Sequence, residues 1–224
     1  MAKLSVIVPV YNEAGTIQAI IQKIQSLPLD KEIIVVDDGS SDDTGKILRS
    51  IRFPNLKVIH HTTNRGKGSA VQTALTNASG ELVIIQDADL EYDPSDYHKL
   101  LEAFSASQAD LVLGARFTKG YHGLLIPRMG NRLMTRFLNL MFGVNLNDFF
   151  TCYKLIRRSV LIEMGLISHT FTIETEIVAK ALKKGLKIVE VPVSYNPRTY
   201  SQGKKIRVVD GIKAVMSIIR YRFV

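Results

Sequence analysis

Residues 4–10 read Leu-Ser-Val-Ile-Val-Pro-Val, a short run rich in β-branched side chains, which predicts a buried strand. Over 13–26 the periodicity changes: Ile17, Ile20, Ile21 and Ile24 recur at helical spacing. The alternation then repeats. Strand patterns fall at 32–37, 56–60, 81–86 and 109–114, and helical ones lie between them. Ser41-Asp-Asp-Thr44 reads as a capped helix start with acidic groups in its first turn. Gly66 to Ala78 is a further helix. Pro94 suits the first turn of another, with Tyr97, Leu100, Leu101 and Phe104 behind it. Strand and helix in strict alternation for 110 residues predict an α/β fold, a mostly parallel central sheet with helices on both faces. Such sheets bind ligands at the carboxyl ends of their strands. The conspicuous polar residues fall there: Tyr11-Asn-Glu13, Asp37-Asp-Gly-Ser40 and Asp87-Ala-Asp89.

After residue 115 the alternation weakens and arginine-rich helical patterns take over. Apolar stripes run along 129–142 (Met129, Leu133, Met134, Phe137, Leu138, Met141) and 206–223 (Val208, Val209, Ile212, Val215, Met216, Ile219). Core packing is the favoured reading of both stripes over membrane contact. Without a linker or internal repeat, the pattern predicts one domain over 1–224, with a nucleotide-binding half at 1–115 and an acceptor-binding half at 116–224. No stretch approaches the about 20 apolar residues of a membrane span. A strand pattern follows directly on Met1-Ala2-Lys3, so no signal peptide is expected and the cytoplasm is the expected location. Cys152 is the single cysteine, which precludes an intrachain disulfide and suggests a structural role.

Charge divides the chain the same way. The net +8 of the 224 residues is made of 10 Lys+Arg against 15 Asp+Glu in 1–110, and 19 against 6 in the remainder. An acidic half suits a divalent cation and a basic half suits phosphates. A nucleic-acid binder would use the basic half, but the chain lacks the aromatic-basic motifs of the known types.

Three carboxylates in Asp87-Ala-Asp-Leu-Glu91, at a strand end, repel one another unless a cation sits among them, and hard divalent ions take such oxygen ligands. The Asp37-Asp38 pair can accept hydrogen bonds from a base or ribose, or act as a turn and helix cap. Asn64-Arg-Gly-Lys-Gly-Ser69 is a glycine-rich lead into a helix, which offers backbone N–H groups to phosphate. It lacks the Walker A spacing, and no G-x-G-x-x-G follows the first strand, which disfavours a dinucleotide oxidoreductase. In the basic half Arg116, Arg128 and Arg198 can each present a forked donor to phosphate oxygens, and Lys204-Lys205 open the final helix. Asp148 precedes an aromatic run, and Glu174 and Glu176 start a helix, where favourable charge at a helix N-terminus is an alternative reading. The five histidines make no metal-ligand spacing.

Val8-Pro-Val-Tyr-Asn-Glu13, Val36-Asp-Asp-Gly-Ser-Ser-Asp42, Asn64-Arg-Gly-Lys-Gly68 and Asp87-Ala-Asp-Leu-Glu91 together resemble family-2 glycosyltransferases of the GT-A fold. Gly114-Ala-Arg116, Asp148 with Thr151-Cys-Tyr-Lys154, Glu176-Ile-Val-Ala-Lys180, Glu190-Val-Pro192 and Arg198-Thr-Tyr-Ser-Gln-Gly-Lys-Lys205 are similar to the dolichyl-phosphate mannose synthase branch. The resemblance implies an inverting transferase that moves a hexose, with mannose from GDP-mannose favoured, onto a polyprenyl phosphate. The alternatives are UDP-glucose or another donor, or a soluble or polysaccharide acceptor. It implies that Pro9, Tyr11, Glu13, Val36 and Asp38 line the base and ribose, with Lys67 and Asp87 on the nucleotide. Asp87, Asp89 and Glu91 would hold Mg²⁺ or Mn²⁺. Where much of the branch has Gln at the third metal-side position, this chain has Glu91, one negative charge more. Arg116, Arg128 and Arg198 would bind the acceptor phosphate, with Lys204 and Lys205 closing over it. Without the C-terminal membrane helices common in the branch, the chain would meet its lipid peripherally at the cytoplasmic membrane face, or through a separate anchor protein.

Overall fold

A computed structural model describes residues 3–116, 125–198 and 208–223. In them seven strands form one sheet in the order β3-β2-β1-β4-β6-β5-β7. The strands are β1 (Leu4–Val10), β2 (Lys31–Asp37), β3 (Leu56–His60), β4 (Leu82–Ile85), β5 (Leu111–Ala115), β6 (Lys154–Arg157) and β7 (Ile188–Pro192). Every pairing from β3 to β4 is parallel, as is β5 with β7, while β6 runs antiparallel to both neighbours.

All seven residues of β1 are buried, as expected of a parallel strand covered on both faces. Helices α1 (Ile17–Ser26) and α2 (Thr44–Ser50) follow β1 and β2, and α1 buries the four isoleucines of its sequence stripe. Helix α3 (Lys67–Thr76) packs on β1 and β2. A single turn of 3₁₀ helix at Pro94–Asp96 leads into α4 (Tyr97–Ser107). Beyond β5 come α5 (Leu125–Phe142), α6 (Arg158–Glu163), α7 (Ile173–Lys183) and α8 (Val208–Phe223), and α8 packs against both α5 and α7.

The first helix starts four residues later than its hydrophobic pattern suggests. Asn12 takes a left-handed φ of 51°, and Glu13 closes a turn by accepting from the N–H groups of Thr16 and Ile17. That turn aims the Glu13 side chain back toward the strand ends. Strand β6, with charged residues at both ends and only four residues long, carries no period that sequence reading can use. Because β1 lies between β2 and β4, the crevice at its carboxyl end is where a sheet of this winding receives ligands.

Candidate functional site

The strand ends are stitched together before any ligand enters. In register, Pro9 of β1 stands beside Val36 of β2, and both are buried. The Asn12 N–H donates to Ser40 Oγ at 2.9 Å, Asn12 Oδ1 accepts from the Ser41 N–H, and the Glu13 N–H donates to Thr44 Oγ1. Tyr11, between them, is 36% exposed.

Asp38 is committed to the protein. Its carboxylate accepts from the N–H groups of Arg65 (3.0 Å) and Gly66 (2.7 Å) and meets His61 Nδ1 at 2.7 Å. It therefore shapes the glycine-rich loop that delivers Lys67. Gly66 has φ +91°, and a Cβ there would lie 2.4 Å from the His169 carbonyl oxygen, so glycine is required.

Below β4, Gln86 is fully buried; its Oε1 accepts from the hydroxyls of Tyr97 (2.8 Å) and Tyr153 (2.7 Å), and its Nε2 donates to the Asp87 carbonyl. This fixes the backbone that bears the acidic triad. Asp87 Oδ1 lies 2.6 Å from Lys67 Nζ, which also contacts Glu174 at 2.7 Å; the other Glu174 oxygen lies 2.5 Å from Lys154 Nζ. Lys154 is wholly buried and also donates to the Thr151 carbonyl. Burial alone would lower the Lys67 ammonium, but Asp87 and Glu174 more than offset that and hold it well above the usual lysine range.

Arg198 closes the site from the far end of the chain. Its guanidinium forks onto Glu13 with two 3.0 Å bonds and reaches Asp89 at 3.1 Å. Its N–H donates to Glu91 at 2.7 Å, as does the Tyr195 hydroxyl. Arg116 forms a two-pronged pair with buried Asp148, at 2.7 and 2.8 Å. Asn131 donates to the same carboxylate from α5, so the first turns of that helix, where Arg128 sits, abut the Arg116–Asp148 pair. Asp148 is held in turn by Glu190, which accepts the N–H groups of Asn147 and Asp148.

The structure thus joins Glu13, Asp89, Glu91 and Arg198 in one hydrogen-bonded network and Lys67 and Asp87 in a second, and the two feel each other through the charges of Asp87 and Asp89. Lys204 and Lys205 lie outside the described residues. Sequence reading quoted Lys154 within a motif but gave it no role, missed Tyr195, and left Asp148 and Glu174 open between roles. The available signal for Lys154 was a lysine at the head of an otherwise buried strand.

Among the described residues no three His, Cys, Asp or Glu side chains converge as a ready metal cage. The charge balance nevertheless suits a cation. Five carboxylates (Glu13, Asp87, Asp89, Glu91, Glu174) share three cations (Lys67, Lys154, Arg198). Asp89 registers the excess: burial, then Asp87 and Glu91, push its carboxyl up to about 7 against the pull of Arg198.

A family model described as glycosyl transferase family 2 matches residues 5–165. The chain is 31% identical over 213 residues to the dolichol-phosphate mannosyltransferase of Pyrococcus furiosus, covering 90% of this chain and 59% of that protein. It is 29% identical over 248 residues to the dolichyl-phosphate beta-glucosyltransferase of Saccharomyces cerevisiae, covering 98% and 74%. The chain spans about half to two thirds of the length of several curated relatives it matches. Among solved structures, glucosyl-3-phosphoglycerate synthase from Mycobacterium tuberculosis shares the fold at a TM-score of 0.75 and 19% identity, over 100% of this chain and 81% of that one. The α/β sheet expected from the sequence is therefore a GT-A fold, and the chain belongs to glycosyl transferase family 2.

Proposed function

We propose that the chain is an inverting glycosyltransferase that moves a hexose from a nucleotide sugar to a polyprenyl phosphate, with mannose from GDP-mannose the favoured donor. One observation carries this reading: an acidic excess at the strand ends is joined directly to an arginine of the basic half, Arg198, which bridges Glu13 and Asp89. Two phosphate groups of opposite roles need such a site. The lipid-phosphate relatives from Pyrococcus furiosus and yeast support the acceptor class, and their different sugars leave the donor to be read by assay.

In this reading Pro9, Tyr11, Glu13 and Val36 border the base and ribose. Asp38 acts one step back, by shaping the loop that carries Lys67. Asp87, Asp89 and Glu91 would hold Mg²⁺ or Mn²⁺, whose chemistry is to neutralise the leaving nucleoside diphosphate. Lys67, already charged against Asp87, adds a fixed cation on the same side. Arg116, Arg128 and Arg198 orient the acceptor phosphate, with Lys204 and Lys205 completing the set. Among the described residues the buried Nε of Arg198 has no hydrogen-bond partner, and a phosphate oxygen is a matched acceptor. The acceptor oxygen forms its bond to the anomeric carbon from the face opposite the bond to the diphosphate, which breaks. A phosphate monoester is anionic near neutral pH, so no strong general base is needed. Rate then derives from positioning and electrostatics.

The test is incubation with labelled nucleotide sugars, a polyprenyl phosphate and Mg²⁺ or Mn²⁺. Label is expected in the lipid phase with one donor, falling by about 100-fold or more in Asp89→Ala with its unfolding transition retained. Absence of lipid label with every donor removes the acceptor assignment. Full activity in Asp89→Ala removes the metal assignment.

A further inference from the structure

Tyr195 stands between the two sides of the candidate site and touches a group assigned to each. Its hydroxyl donates to Glu91 Oε2 at 2.7 Å, on the metal side. Its ring lies 5.3 Å from the guanidinium carbon of Arg116, on the acceptor side.

Backbone and ring together fix where the tyrosine sits. Just beyond β7, the Val193 N–H donates to the Ala115 carbonyl, the Ser194 N–H to Asp96, and the Asn196 N–H to the Glu91 carbonyl at 2.8 Å. Tyr195 itself pairs with Tyr92 as an antiparallel bridge. The ring ends a column of four tyrosines, Tyr97, Tyr153, Tyr92 and Tyr195, whose successive centroids lie 5.6, 4.6 and 5.1 Å apart. Tilted and edge-on aromatic pairs attract at such distances. The inner three rings are buried, and the hydroxyls of Tyr97 and Tyr153 end on Gln86, which fixes the backbone of the acidic triad.

The two contacts do different work. Glu91 accepts at one oxygen from the Tyr195 hydroxyl and at the other from the Arg198 N–H. Hydrogen bonds to an ionised carboxylate are the strong ones, and they set the direction of its remaining lone pairs. Arg116 is gripped along one edge by Asp148, through Nε and Nη2, which fixes rotation within the guanidinium plane. An aromatic face at cation–π distance fixes the tilt of that plane.

We propose that Tyr195 is a positioning residue shared by both substrates: its hydroxyl orients Glu91 for the divalent cation, and its ring orients Arg116 for the acceptor phosphate. This rests on the glycosyl-transfer reading and adds to it one side chain that sets both sides of the site.

The experiment separates the contacts with two variants. Tyr195→Phe deletes the hydroxyl and keeps the ring; Tyr195→Leu deletes both. Mn²⁺ binding is read by electron paramagnetic resonance with GDP or UDP present and no acceptor. Acceptor handling is read at saturating Mn²⁺, as the KM for a short prenyl phosphate and as its calorimetric binding. Tyr195→Phe should weaken Mn²⁺ at least about tenfold and leave the acceptor KM within about twofold. Tyr195→Leu should weaken Mn²⁺ as much and also raise the acceptor KM by about fivefold. On a Glu91→Ala background, Tyr195→Phe should cost no further Mn²⁺ affinity. A general loss of packing would move both readouts together and would ignore the background. Unchanged Mn²⁺ affinity in Tyr195→Phe overturns the Glu91 contact's role, as does an equal loss on the Glu91→Ala background or a wild type that binds no Mn²⁺. Equal acceptor KM in the two variants overturns the role of the Arg116 contact, and Tyr195→Met takes the place of Tyr195→Leu if the latter shows no thermal transition. Wild-type protein that binds Mn²⁺ but neither binds nor glycosylates the prenyl phosphate removes the acceptor reading, and the Arg116 role with it, while the Mn²⁺ titration still decides the Glu91 role.

Discussion

Lys154 sits at the inner end of a chain of alternating charges that runs Lys154, Glu174, Lys67, Asp87 from the sheet interior to the candidate site. Removing one end of such a chain leaves a buried carboxylate short of a partner, which costs more than the pair contributes. Lys154→Met is expected to destabilise the fold by about 3–5 kcal/mol, read as a lower urea midpoint at unchanged slope. Adding Glu174→Gln removes the stranded charge. The double variant should therefore lose less than the two single losses summed, and strict additivity would refute the coupling. Legibility at this scale followed exposure to pattern. Asp87, Asp89 and Glu91 announce themselves because like charges crowd within five residues. Lys154 and Glu174 are distant in sequence, and each alone resembles an ordinary surface charge. Arg116 could be picked as a cation, but its pairing with Asp148 is a tertiary fact that no local window contains.

Elements were legible where burial imposed a period. β1 to β5 and their helices followed from short apolar runs alternating with isoleucine and leucine stripes. β6 and β7 were not, since β6 is four residues long and β7 is only half-buried, so neither shows a clear apolar run. The most constrained junction is where α3 begins. A Cβ at Gly68 would lie 2.1 Å from the Ser168 carbonyl oxygen, which is backbone and has little room to move. Gly68→Ala should cost about 1–3 kcal/mol through overpacking, or roughly 2–12 °C in Tm for a chain of this size. Gly15→Ala, with nothing within 4 Å of its added methyl, serves as the matched control and should leave Tm nearly unchanged. Equal shifts at both positions would contradict a contact-specific cost.

At the scale of the whole molecule, acid stability follows from where carboxylates are held. Burial alone would raise Glu32, Asp42 and Glu176. Hydrogen bonds outweigh it in each case: Ser5, Ser79 and Gly80 at Glu32; Thr44 and Ala14 at Asp42; Lys180, Ile167 and Ser168 at Glu176. Their folded-state pKa values lie below the unfolded ones, so their stabilisation is complete above the unfolded range and is lost as pH falls through the folded values. Tm should drop steeply below about pH 4.5, sharpened by self-repulsion as a chain already at +8 gains charge. A thermal series from pH 7 to pH 3 checks this, and a flat profile would contradict it. Asp89 works in the opposite direction: raised to about 7, it keeps in the folded state a proton the unfolded state has lost, so its contribution falls as pH climbs from the unfolded range toward neutrality. The antiparallel placement of β6 has a consequence for synthesis. β4 and β5 are not neighbours; residues 154–157 must pass between them. While the ribosome delivers the first 115 residues, β4 therefore presents an unpaired apolar edge and β5 has no strand to join, a state that invites wrong pairing. The sheet is completed only once residues 154–157 and 188–192 have been made, and a holding chaperone has most to protect in that interval.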